Sequence, residues 1–329
     1  MRDVAREAGV SLKTVSRVVN EEPGVTAALT DRVSAAVHRL GYQPDDRARF
    51  LRRTETSSKS LGYVQMDVAN PFFSSIFRGL EDVARAEGHL VLAGSSDGDP
   101  EREEALVKAF IARRVDGLIL VSCHPDLGFL TAEIQLGTPV VFVDHRPAAN
   151  LGDVIHTDHH GGAVAATRHL LDHGHRDIAF LGDSTAFFSA AERRRGFCDV
   201  MANAGLDTPW LHSGLTGPPE AEARTVALLA GERQPTALFT AQNFVTIGAV
   251  RALHRLGLQH DVALVGFDDV EFSELVEPRI SVVRQEPRTL GRLAGERIYA
   301  RLAGDRAPAA STILPASVLA RGSGEIRPA

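Results

Sequence analysis

Apolar positions recur at helical spacing from the first residues of the chain. Val4 and Ala8 fall on one face of a short first helix, and Gly9 can adopt the positive φ that a sharp break requires. Ser11 can cap a second helix, which the pattern places at about Leu12–Val19. The sequence therefore predicts two short amphipathic helices joined by a tight turn.

The second predicted helix divides its residues between a buried and an outward face. Val15, Val18 and Val19 form the buried stripe, which turns the polar side chains outward. These outward residues are Lys13, Thr14, Ser16, Arg17 and Asn20. Such side chains can contact DNA phosphates and base edges, so the pattern favours a helix-turn-helix with the second helix as reader. The alternative is a pair of ordinary short helices, which occur in many α/β proteins.

A third helix is predicted from about Thr26 to Leu40. Its apolar residues at helical spacing are Leu29, Val33, Ala36, Val37 and Leu40. We expect these residues to give the small amino-terminal unit its core, and Gly41 to end the helix.

After the polar linker Thr54–Ser60, the pattern changes to strands that alternate with helices. Apolar runs predict parallel strands at Leu61–Met66, Leu90–Ala93, Gly117–Val121 and Val140–Val143. Helical patterns follow at Phe72–Glu87, Glu101–Arg113 and Leu127–Leu136. A second series of helices and strands begins near Asp158, with Gly161–His173, Ile178–Leu181, Glu192–Asn203, Ala237–Thr240, Thr246–Leu256 and Val262–Phe267. The expected fold class is an all-α helix-turn-helix unit followed by two doubly wound α/β sheets.

Composition agrees with a multidomain protein of ordinary core content. The chain has 329 residues, of which 44% are hydrophobic and 24% charged. It has no apolar run of about 18 residues and no signal peptide before the first helix. Cys123 and Cys198 lack metal-ligand spacing. We expect a cytoplasmic protein with two free, buried thiols.

Charge separates the amino-terminal unit from the rest of the chain. The whole chain has 36 basic and 42 acidic side chains and a net charge of −6, which alone disfavours a nucleic-acid partner. Residues 1–60 have a net charge of +3, from 11 basic and 8 acidic side chains, and the remainder has −9. We expect the basic part to contact DNA and the acidic body to be repelled by it. Because the basic excess is small, specificity must come from geometry and dimerisation more than from bulk attraction.

The segment Tyr42–Thr54, YQPDDRARFLRRT, places four arginines after the third helix: Arg47, Arg49, Arg52 and Arg53. At this point the chain resembles the lactose-repressor (LacI/GalR) family. The TVSRVVN run, the Y-x-P entry and the AR-x-L element all occur in that family's order. The resemblance covers essentially the whole chain and is most specific in the first 53 residues.

The resemblance implies a domain organisation. A helix-turn-helix domain is expected at 1–44, a hinge helix and linker at 45–60, and an effector-binding and dimerisation domain at 61–329. Within that last domain the N-lobe is expected at about 61–158 and 286–306, and the C-lobe at about 159–285 and 307–329. The chain is expected to cross back near Gln285, so that Thr289–Leu302 packs on the first sheet and the tail Thr312–Arg321 on the second. Two lobes joined in this way leave a cleft that can open and close.

The resemblance also implies roles in DNA binding. Leu12, Lys13 and Arg17 match base-reading positions, and Ser11, Thr14, Ser16 and Asn20 match phosphate-contacting positions. A guanidinium can pair bidentately with a guanine edge, which makes Arg17 the clearest of these. Arg49 belongs to the hinge element, and Leu51 matches a leucine that wedges into the central base step and kinks the duplex. The alternative for Leu51 is packing between helices.

Candidate effector contacts come from strand geometry and from motif matching together. Ligands of α/β sheets bind beyond the carboxyl ends of strands, where the chain has Asn70, Phe72, Phe73, Asp144 and Asp158. Arg193 and Asp268 match the family's main effector contacts, and Gln242 and Asn243 stand where the family commonly has Asn-Asp. Carboxylates and a guanidinium around a small cavity suit hydroxyl groups, so a sugar or sugar phosphate is favoured. The alternatives are core packing for the phenylalanines, and helix capping or interlobe pairing for Asp144 and Asp158.

Histidines and the chain ends complete the candidate features. His169, His173 and His175 have part of a zinc-like spacing, but Gly174 interrupts it and no fourth ligand is evident, so no metal is expected. His159 and His160 are interpreted as local polar structure. Family members usually have several residues before the D-V-A run, so we expect either an upstream start or fewer amino-terminal phosphate contacts. The tail RGSGEIRPA contains no leucine heptad, which predicts dimers and no tetramers.

These features together predict a ligand-controlled transcriptional repressor that binds a palindromic operator as a homodimer. The effector would shift lobe closure and thereby decide whether the hinge helices pair on DNA. No enzyme signature, such as a P-loop or a nucleophile elbow, occurs, and neither a cofactor nor a membrane partner is expected. A periplasmic sugar-binding protein and a cleft hydrolase are the rival classes. Activator against repressor, and inducer against corepressor, stay open at this point.

Overall fold

The computed structural model describes residues 1–19, 24–42, 57–147 and 150–329 of the chain. The chain divides into two compact units, Met1–Ser57 and Ser58–Ala329. The described part of the first unit is helical, and the second unit contains two six-stranded sheets.

The first unit contains the three predicted helices, which are α1 (Arg2–Ala8), α2 (Leu12–Val19) and α3 (Ala27–Arg39). Five buried residues form their common core: Val4, Ala8, Val15, Val33 and Ala36. Gly9 ends α1 with a φ of 63°, which confirms the predicted tight turn. The Ser11 hydroxyl accepts a hydrogen bond of 3.1 Å from the Thr14 amide, so Ser11 caps α2 as predicted.

Two contacts of α3 were not predicted correctly. Leu40 was expected in the core but is 46% exposed, because α3 ends at Arg39 and leaves Leu40 beyond the packed face. Arg32 was not singled out, yet its Nη2 donates to the Ala8 carbonyl at 2.6 Å. This bond ties α3 to the turn between α1 and α2, so Arg32 helps to set the angle of the helix pair.

The second unit begins with a parallel sheet. Its elements along the chain are β1 (Ser60–Gln65), α4 (Pro71–Ala86), β2 (Leu90–Ser95), α5 (Pro100–Ala112), β3 (Gly117–Leu120), a 3₁₀ turn (Gly128–Leu130), α6 (Thr131–Gln135), β4 (Val140–Val143) and β5 (Asp153–Thr157). Every residue of β3 and β4 is buried, as expected for strands covered on both faces. The strand β5 was not predicted, because its run DVIHT mixes polar and apolar residues although all five are buried.

A second sheet follows. Its elements are α7 (His159–Asp172), β6 (Ile178–Leu181), α8 (Phe188–Asn203), β7 (Leu211–His212), α9 (Pro218–Leu229), β8 (Ala237–Thr240), α10 (Asn243–Leu256), β9 (Ala263–Phe267), a 3₁₀ turn (Glu271–Glu274) and β10 (Ser281–Arg284). The sequence patterns missed β7, α9 and β10. The strands β7 and β10 are short, and the helical pattern of α9 was not recognised after Pro218 and Pro219.

The chain then returns to the first sheet with α11 (Pro287–Leu302) and β11 (Ser311–Leu314), and ends with β12 (Ser317–Leu319) and a 3₁₀ turn (Ser323–Glu325). The strand order is β11-β5-β4-β3-β1-β2 in the first sheet and β12-β10-β9-β8-β6-β7 in the second. All neighbours are parallel except β10 and β12. Placing α11 on the first sheet was correct. Assigning all of Thr312–Arg321 to the second sheet, with the C-lobe resuming at 307, was wrong, because β11 pairs with β5 and the third crossover follows Leu314.

Two glycines let α4 and α11 pack closely against each other in the first lobe. A Cβ on Gly291 would lie 1.9 Å from the Ile76 carbonyl oxygen, and one on Gly79 would lie 2.1 Å from the Arg288 carbonyl oxygen. Larger residues would push these helices apart, so the small residues fix the packing of the segment that returns to the first sheet. Among the described residues, no helix has both the length and the apolar character needed to cross a membrane.

Candidate effector site and DNA-reading helix

A cavity of about 500 Å³ lies between the two lobes, next to the carboxyl ends of their strands. From the first lobe it is lined by Met66, Asp67, Asn70, Phe72, Phe73, Asp97, Gly98 and Asp144. From the second lobe it is lined by Asp183, Ser184, Phe187, Ser189, Arg193, Leu215, Thr216, Gln242, Phe244 and Asp268. Seven of the nine predicted effector residues therefore line one cavity, and Asn243 and Asp158 do not.

Arg193, on α8, is held rigidly at this cavity although it is only 4% exposed. Its Nη1 donates to the Ala241 carbonyl at 2.8 Å, and its guanidinium carbon lies 3.9 Å from the centre of the Phe267 ring. The Nη1 atom is also 4.0 Å from Oδ2 of Asp268. A buried guanidinium fixed in this way can present its remaining donors to a ligand without losing much side-chain entropy.

Asp268 follows β9 and adopts a φ of 76°, a left-handed backbone that aspartate tolerates better than most residues. Its Oδ1 accepts a short hydrogen bond from Nε2 of Gln285, a residue at the second crossover. Burial raises the pKa of the Asp268 carboxyl, while the Arg193 charge opposes that rise. Gln285 and Arg193 therefore contact this carboxylate from two sides, and water does not solvate it because the side chain is buried.

Asp144 also adopts a left-handed φ, of 56°, and lies beside a histidine that the sequence interpretation missed. His159 is buried, and its Nε2 lies 2.7 Å from Oδ1 of Asp144. The Arg193 Nε atom donates to His159 Nδ1 at 3.3 Å. Because Nδ1 accepts, a neutral ring carries its proton on Nε2, facing Asp144. Burial lowers the pKa of His159, which favours that neutral form.

Asn70 and Gln242 begin helices on opposite sides of the cavity. Asn70 caps α4 by accepting from the Phe72 amide at 3.0 Å, and Gln242 caps α10 by accepting from the Val245 amide at 3.1 Å. Asn243 lies behind this wall, buried against Asn70 and bordering a smaller pocket next to Asp268. Asn70 and Gln242 therefore line the cavity, whereas Asn243 lies behind it and connects the second lobe to the first.

Phe72 and Phe73 have both of the roles considered for them. Their rings pack edge to face with centres 5.3 Å apart, and both side chains are buried in the core of the first lobe. Both also line the cavity. The packing holds their rings in place, so an aromatic surface is available to a ligand without reorganisation.

The structure does not place Asp158 in the cavity. Its side chain is exposed and accepts a hydrogen bond of 2.8 Å from the Gly161 amide, at the amino end of α7. The structure therefore gives Asp158 the capping role that the sequence analysis left as the alternative, and does not bring it to the cavity with the other predicted effector residues. The carboxyl-end rule does not place Asp158 at the cavity because the chain is crossing between lobes at this residue, and the free amides of α7 compete for the carboxylate.

Several cavity residues were not predicted, and a signal existed for three of them. Asp67, Asp97 and Asp183 each stand two residues after a strand, which is β1, β2 or β6, so the rule that selected Asp144 also applies to them. His159 and Gln285, which contact the lining residues Asp144 and Asp268 without lining the cavity themselves, gave no such signal. Their roles arise only because buried partners from other elements surround them.

The described residues of α2 have the outward face that the sequence predicts. Ser11, Leu12, Lys13 and Arg17 are exposed, and Thr14 and Ser16 are half-buried. Leu12 is 48% exposed, which leaves an apolar contact available at the start of α2. Thr14 shares a hydrogen bond of 2.9 Å with the Ser11 hydroxyl. Asn20, Arg49 and Leu51 lie outside the described residues.

The remaining candidate side chains have local partners. His169 Nε2 lies 2.5 Å from Oε1 of Glu325, and His175 contacts the Ile326 carbonyl and the Thr236 hydroxyl. These contacts anchor the carboxyl-terminal segment to the second lobe. No group of three or more potential metal ligands occurs in the part of the chain that the structure describes. Both cysteines are free and half-buried.

A helix-turn-helix joined to a two-lobed sensor with a polar cleft defines a class of protein, the ligand-controlled DNA-binding regulators. Comparison with known proteins identifies the family within this class. Residues 1–45 match the model of the bacterial regulatory proteins of the lacI family, and residues 167–324 match the periplasmic binding protein-like domain. The ribose operon repressor of Escherichia coli (strain K12) is 32% identical over 300 residues, which cover 89% of this chain and 90% of the relative. The chain belongs to the lacI family of bacterial regulatory proteins.

Other relatives and solved structures agree with this assignment. The HTH-type transcriptional repressor PurR of Pasteurella multocida (strain Pm70) is 30% identical over 92% of this chain and 91% of its own. A Lac repressor dimer bound to operator and the anti-inducer ONPF superposes with a TM-score of 0.85, at 27% identity over 98% of both chains. A complex of the regulator CelR with cellobiose has a TM-score of 0.73 at 26% identity, also over 98% of both. The protein is a DNA-binding transcriptional repressor that responds to a small-molecule effector, and it is not an enzyme.

Proposed function

We propose that the protein binds a palindromic operator as a homodimer and that a sugar in the interlobe cavity controls this binding. The observation that carries the proposal is the cavity itself, where Arg193, Asp144 and Asp268 converge between two hinged lobes. A fixed guanidinium and carboxylates can hold several ligand hydroxyls at once. Because a DNA-binding repressor acts where it can reach its operator, the proposal places the protein in the cytoplasm.

Binding is coupled to the lobes because the cavity takes residues from both of them. A ligand that contacts Asp144 in the first lobe and Arg193 in the second stabilises the lobe arrangement in which both contacts form. The ligand can shift the equilibrium only by its difference in affinity for the open and closed arrangements. Couplings of this kind amount to about 1–3 kcal/mol.

On the DNA side, the proposal assigns the outward face of α2 to the major groove. Arg17, Lys13 and Leu12 read base edges, and Ser11, Thr14 and Ser16 contact phosphates together with Asn20. Arg49 and Leu51 of the hinge act in the minor groove, where an inserted leucine would kink the duplex. Two copies related by a two-fold axis would read two half-sites of opposite orientation. The Lac repressor neighbour, a dimer on its operator, supports this arrangement.

Two ligand classes are candidates for the cavity. The ribose operon repressor and the CelR–cellobiose complex point to a sugar, and the acidic cavity with its single lining arginine is suited to hydroxyl donors. A ligand with an aromatic base, such as a purine, is the second candidate. The rings of Phe72 and Phe73 favour that candidate, since an aromatic surface can stack on a base.

The test combines DNA selection with titration of ligands. Full-length protein is used to select duplexes from a random library, and anisotropy then measures binding to the selected site with sugars or purines added. We expect a palindromic site, and one ligand class that changes its affinity about five- to 150-fold. Selection of no preferred duplex contradicts the DNA-binding part of the proposal. A selected site that responds to a purine and to no sugar replaces the first effector class with the second.

A further inference from the structure

Asp183 has an unsatisfied carboxylate oxygen at the cavity. It stands two residues after β6, and its backbone is fixed because its carbonyl accepts from the Gly214 amide at 3.0 Å. Its side-chain Oδ1 is buried and accepts no hydrogen bond from any described residue. A buried acceptor without a partner costs free energy, so its presence in a ligand cavity points to a donor that arrives with the ligand.

Charge at the cavity is strongly negative. Its lining contains the five aspartates Asp67, Asp97, Asp144, Asp183 and Asp268, and Arg193 is the only cation among the described lining residues. Asp97 is neutralised from outside the cavity by Arg102. Arg193 is the one charged partner that the buried carboxylates of Asp144, Asp183 and Asp268 share among the described lining residues, while His159 contacts Asp144 and Gln285 contacts Asp268 from outside the lining.

These charges act directly on the pKa of the Asp183 carboxyl. Burial raises the pKa of its carboxyl to about 6, and the charge of Arg193 only partly opposes that rise. The neighbouring charges of Asp268 and Asp144 add to it. A further anion in this cavity would meet carboxylates that already lack sufficient positive charge.

We propose that the effector is an uncharged polyol and that Asp183 accepts one of its hydroxyl hydrogens, so that a phosphorylated sugar is excluded. This inference rests on the proposed function, since it names the ligand class of the same cavity. A phosphate monoester carries a charge of about −1.5 to −2 at neutral pH, and bringing like charges together in a partly desolvated site weakens binding about a hundredfold or more. Hydroxyl groups instead supply the donors that the carboxylates lack.

The cavity walls suit the same ligand. Phe72, Phe187 and Phe244 line it together with Leu215, so apolar surface faces acidic groups across a volume of about 500 Å³. A sugar ring presents apolar C–H faces and polar edges, and this combination matches aromatic walls with carboxylates between them.

The experiment measures ligand binding to the full-length protein by calorimetry. The uncharged probes are D-ribose, D-glucose, D-galactose and cellobiose. Each monosaccharide is compared with its own phosphate ester, which is ribose 5-phosphate, glucose 6-phosphate or galactose 6-phosphate. The proteins are the natural sequence, Asp183→Ala, Asp183→Asn, and Asp207→Ala as a matched control at an exposed aspartate of the same lobe. Thermal unfolding of each ligand-free variant separates a lost contact from a failure to fold.

We expect one uncharged sugar to bind and its phosphate ester to bind at least about a hundredfold more weakly. Asp183→Ala should weaken the sugar about tenfold or more, Asp183→Asn should narrow the gap between sugar and ester, and Asp207→Ala should change neither. A phosphate ester that binds as tightly as its parent sugar, or an unchanged affinity in Asp183→Ala, overturns this inference and leaves a sugar effector standing. Failure of every probe overturns the sugar effector of the proposed function and this inference with it.

Discussion

Asn70 and Asn243 exchange two side-chain hydrogen bonds between the lobes, with Asn243 Nδ2 2.7 Å from Asn70 Oδ1 and Asn70 Nδ2 3.2 Å from Asn243 Oδ1. Each also accepts from a backbone amide at the start of its own helix, Phe72 in one lobe and Phe244 in the other. The pair therefore links the first turns of α4 and α10 directly. Because it is uncharged, it can break and reform without the desolvation cost of an ion pair.

Asn243→Ala should increase the open population of ligand-free protein. The change leaves the Asn70 amide without its acceptor in the arrangement described here, which costs about 1–3 kcal/mol, whereas an open cleft lets water satisfy it. Single-molecule energy transfer between labels on the two lobes measures this shift. Asn203→Ala, at an exposed position of α8, is the control. Equal distance distributions for the Asn243 variant and the natural sequence would show that the pair does not hold the lobes.

Asp268→Asn should leave operator affinity intact and reduce the response to effector at least tenfold. Asparagine tolerates the positive φ at this position and can still bond to Gln285, so the backbone is retained while the charge that faces Arg193 is lost. Anisotropy titrations of operator with and without effector measure both quantities. A normal effector response in this variant would remove Asp268 from the binding machinery.

Stability should depend on pH through Asp183. The folded-state pKa of about 6 lies above the ordinary value of 3.8, so the folded state binds this proton more tightly than the unfolded state does. The associated stabilisation is complete below about pH 4 and is lost as the pH rises through about 6. Asp183→Asn cannot lose this proton, so the unfolding free energy of the variant minus that of the natural sequence should rise by up to about 3 kcal/mol as the pH increases from below 4 to above 6. Denaturant unfolding at several pH values measures it, and a constant difference would refute the assignment.

Arg32→Ala should loosen the turn before the reading helix. The variant loses the 2.6 Å bond to the Ala8 carbonyl, at a cost of about 1–3 kcal/mol. Hydrogen exchange of the α1 and α2 amides in the full-length protein should accelerate, and operator affinity should fall about tenfold. Arg39→Ala breaks only an exposed ion pair with Glu7 and is the control. If the α1 and α2 amides exchange equally fast in Arg32→Ala and Arg39→Ala, the prediction is wrong.

Arg17→Ala should relax base preference at one position in each half-site. Losing a bidentate contact to a base costs about 1–3 kcal/mol of discrimination, and it should reduce the salt dependence less than the loss of a phosphate contact would. Selection from a random duplex library, compared with that of the natural sequence, measures the change. If the preferred site is the same at every position, Arg17 contacts only the backbone.

Much of the architecture follows from local patterns. The turn at Gly9, the cap at Ser11 and the apolar stripe of α2 depend on residues within a few positions of one another, so they could be predicted without tertiary information. Asp144 was found because carboxyl ends of parallel strands share an edge. Arg193, Asp268 and Gln242 were found through the resemblance to a family.

Only the tertiary structure decided how these residues are paired. Asp158 caps α7, and β11 pairs with β5, which lies more than 150 residues earlier in the chain. His159 connects Arg193 to Asp144. The sequence determined which segments form helices and strands, because those preferences arise from neighbouring residues. Which carboxylates are satisfied by protein, and which one is left for a ligand, depends on desolvation and on donors brought from distant segments, and no local pattern carries that information.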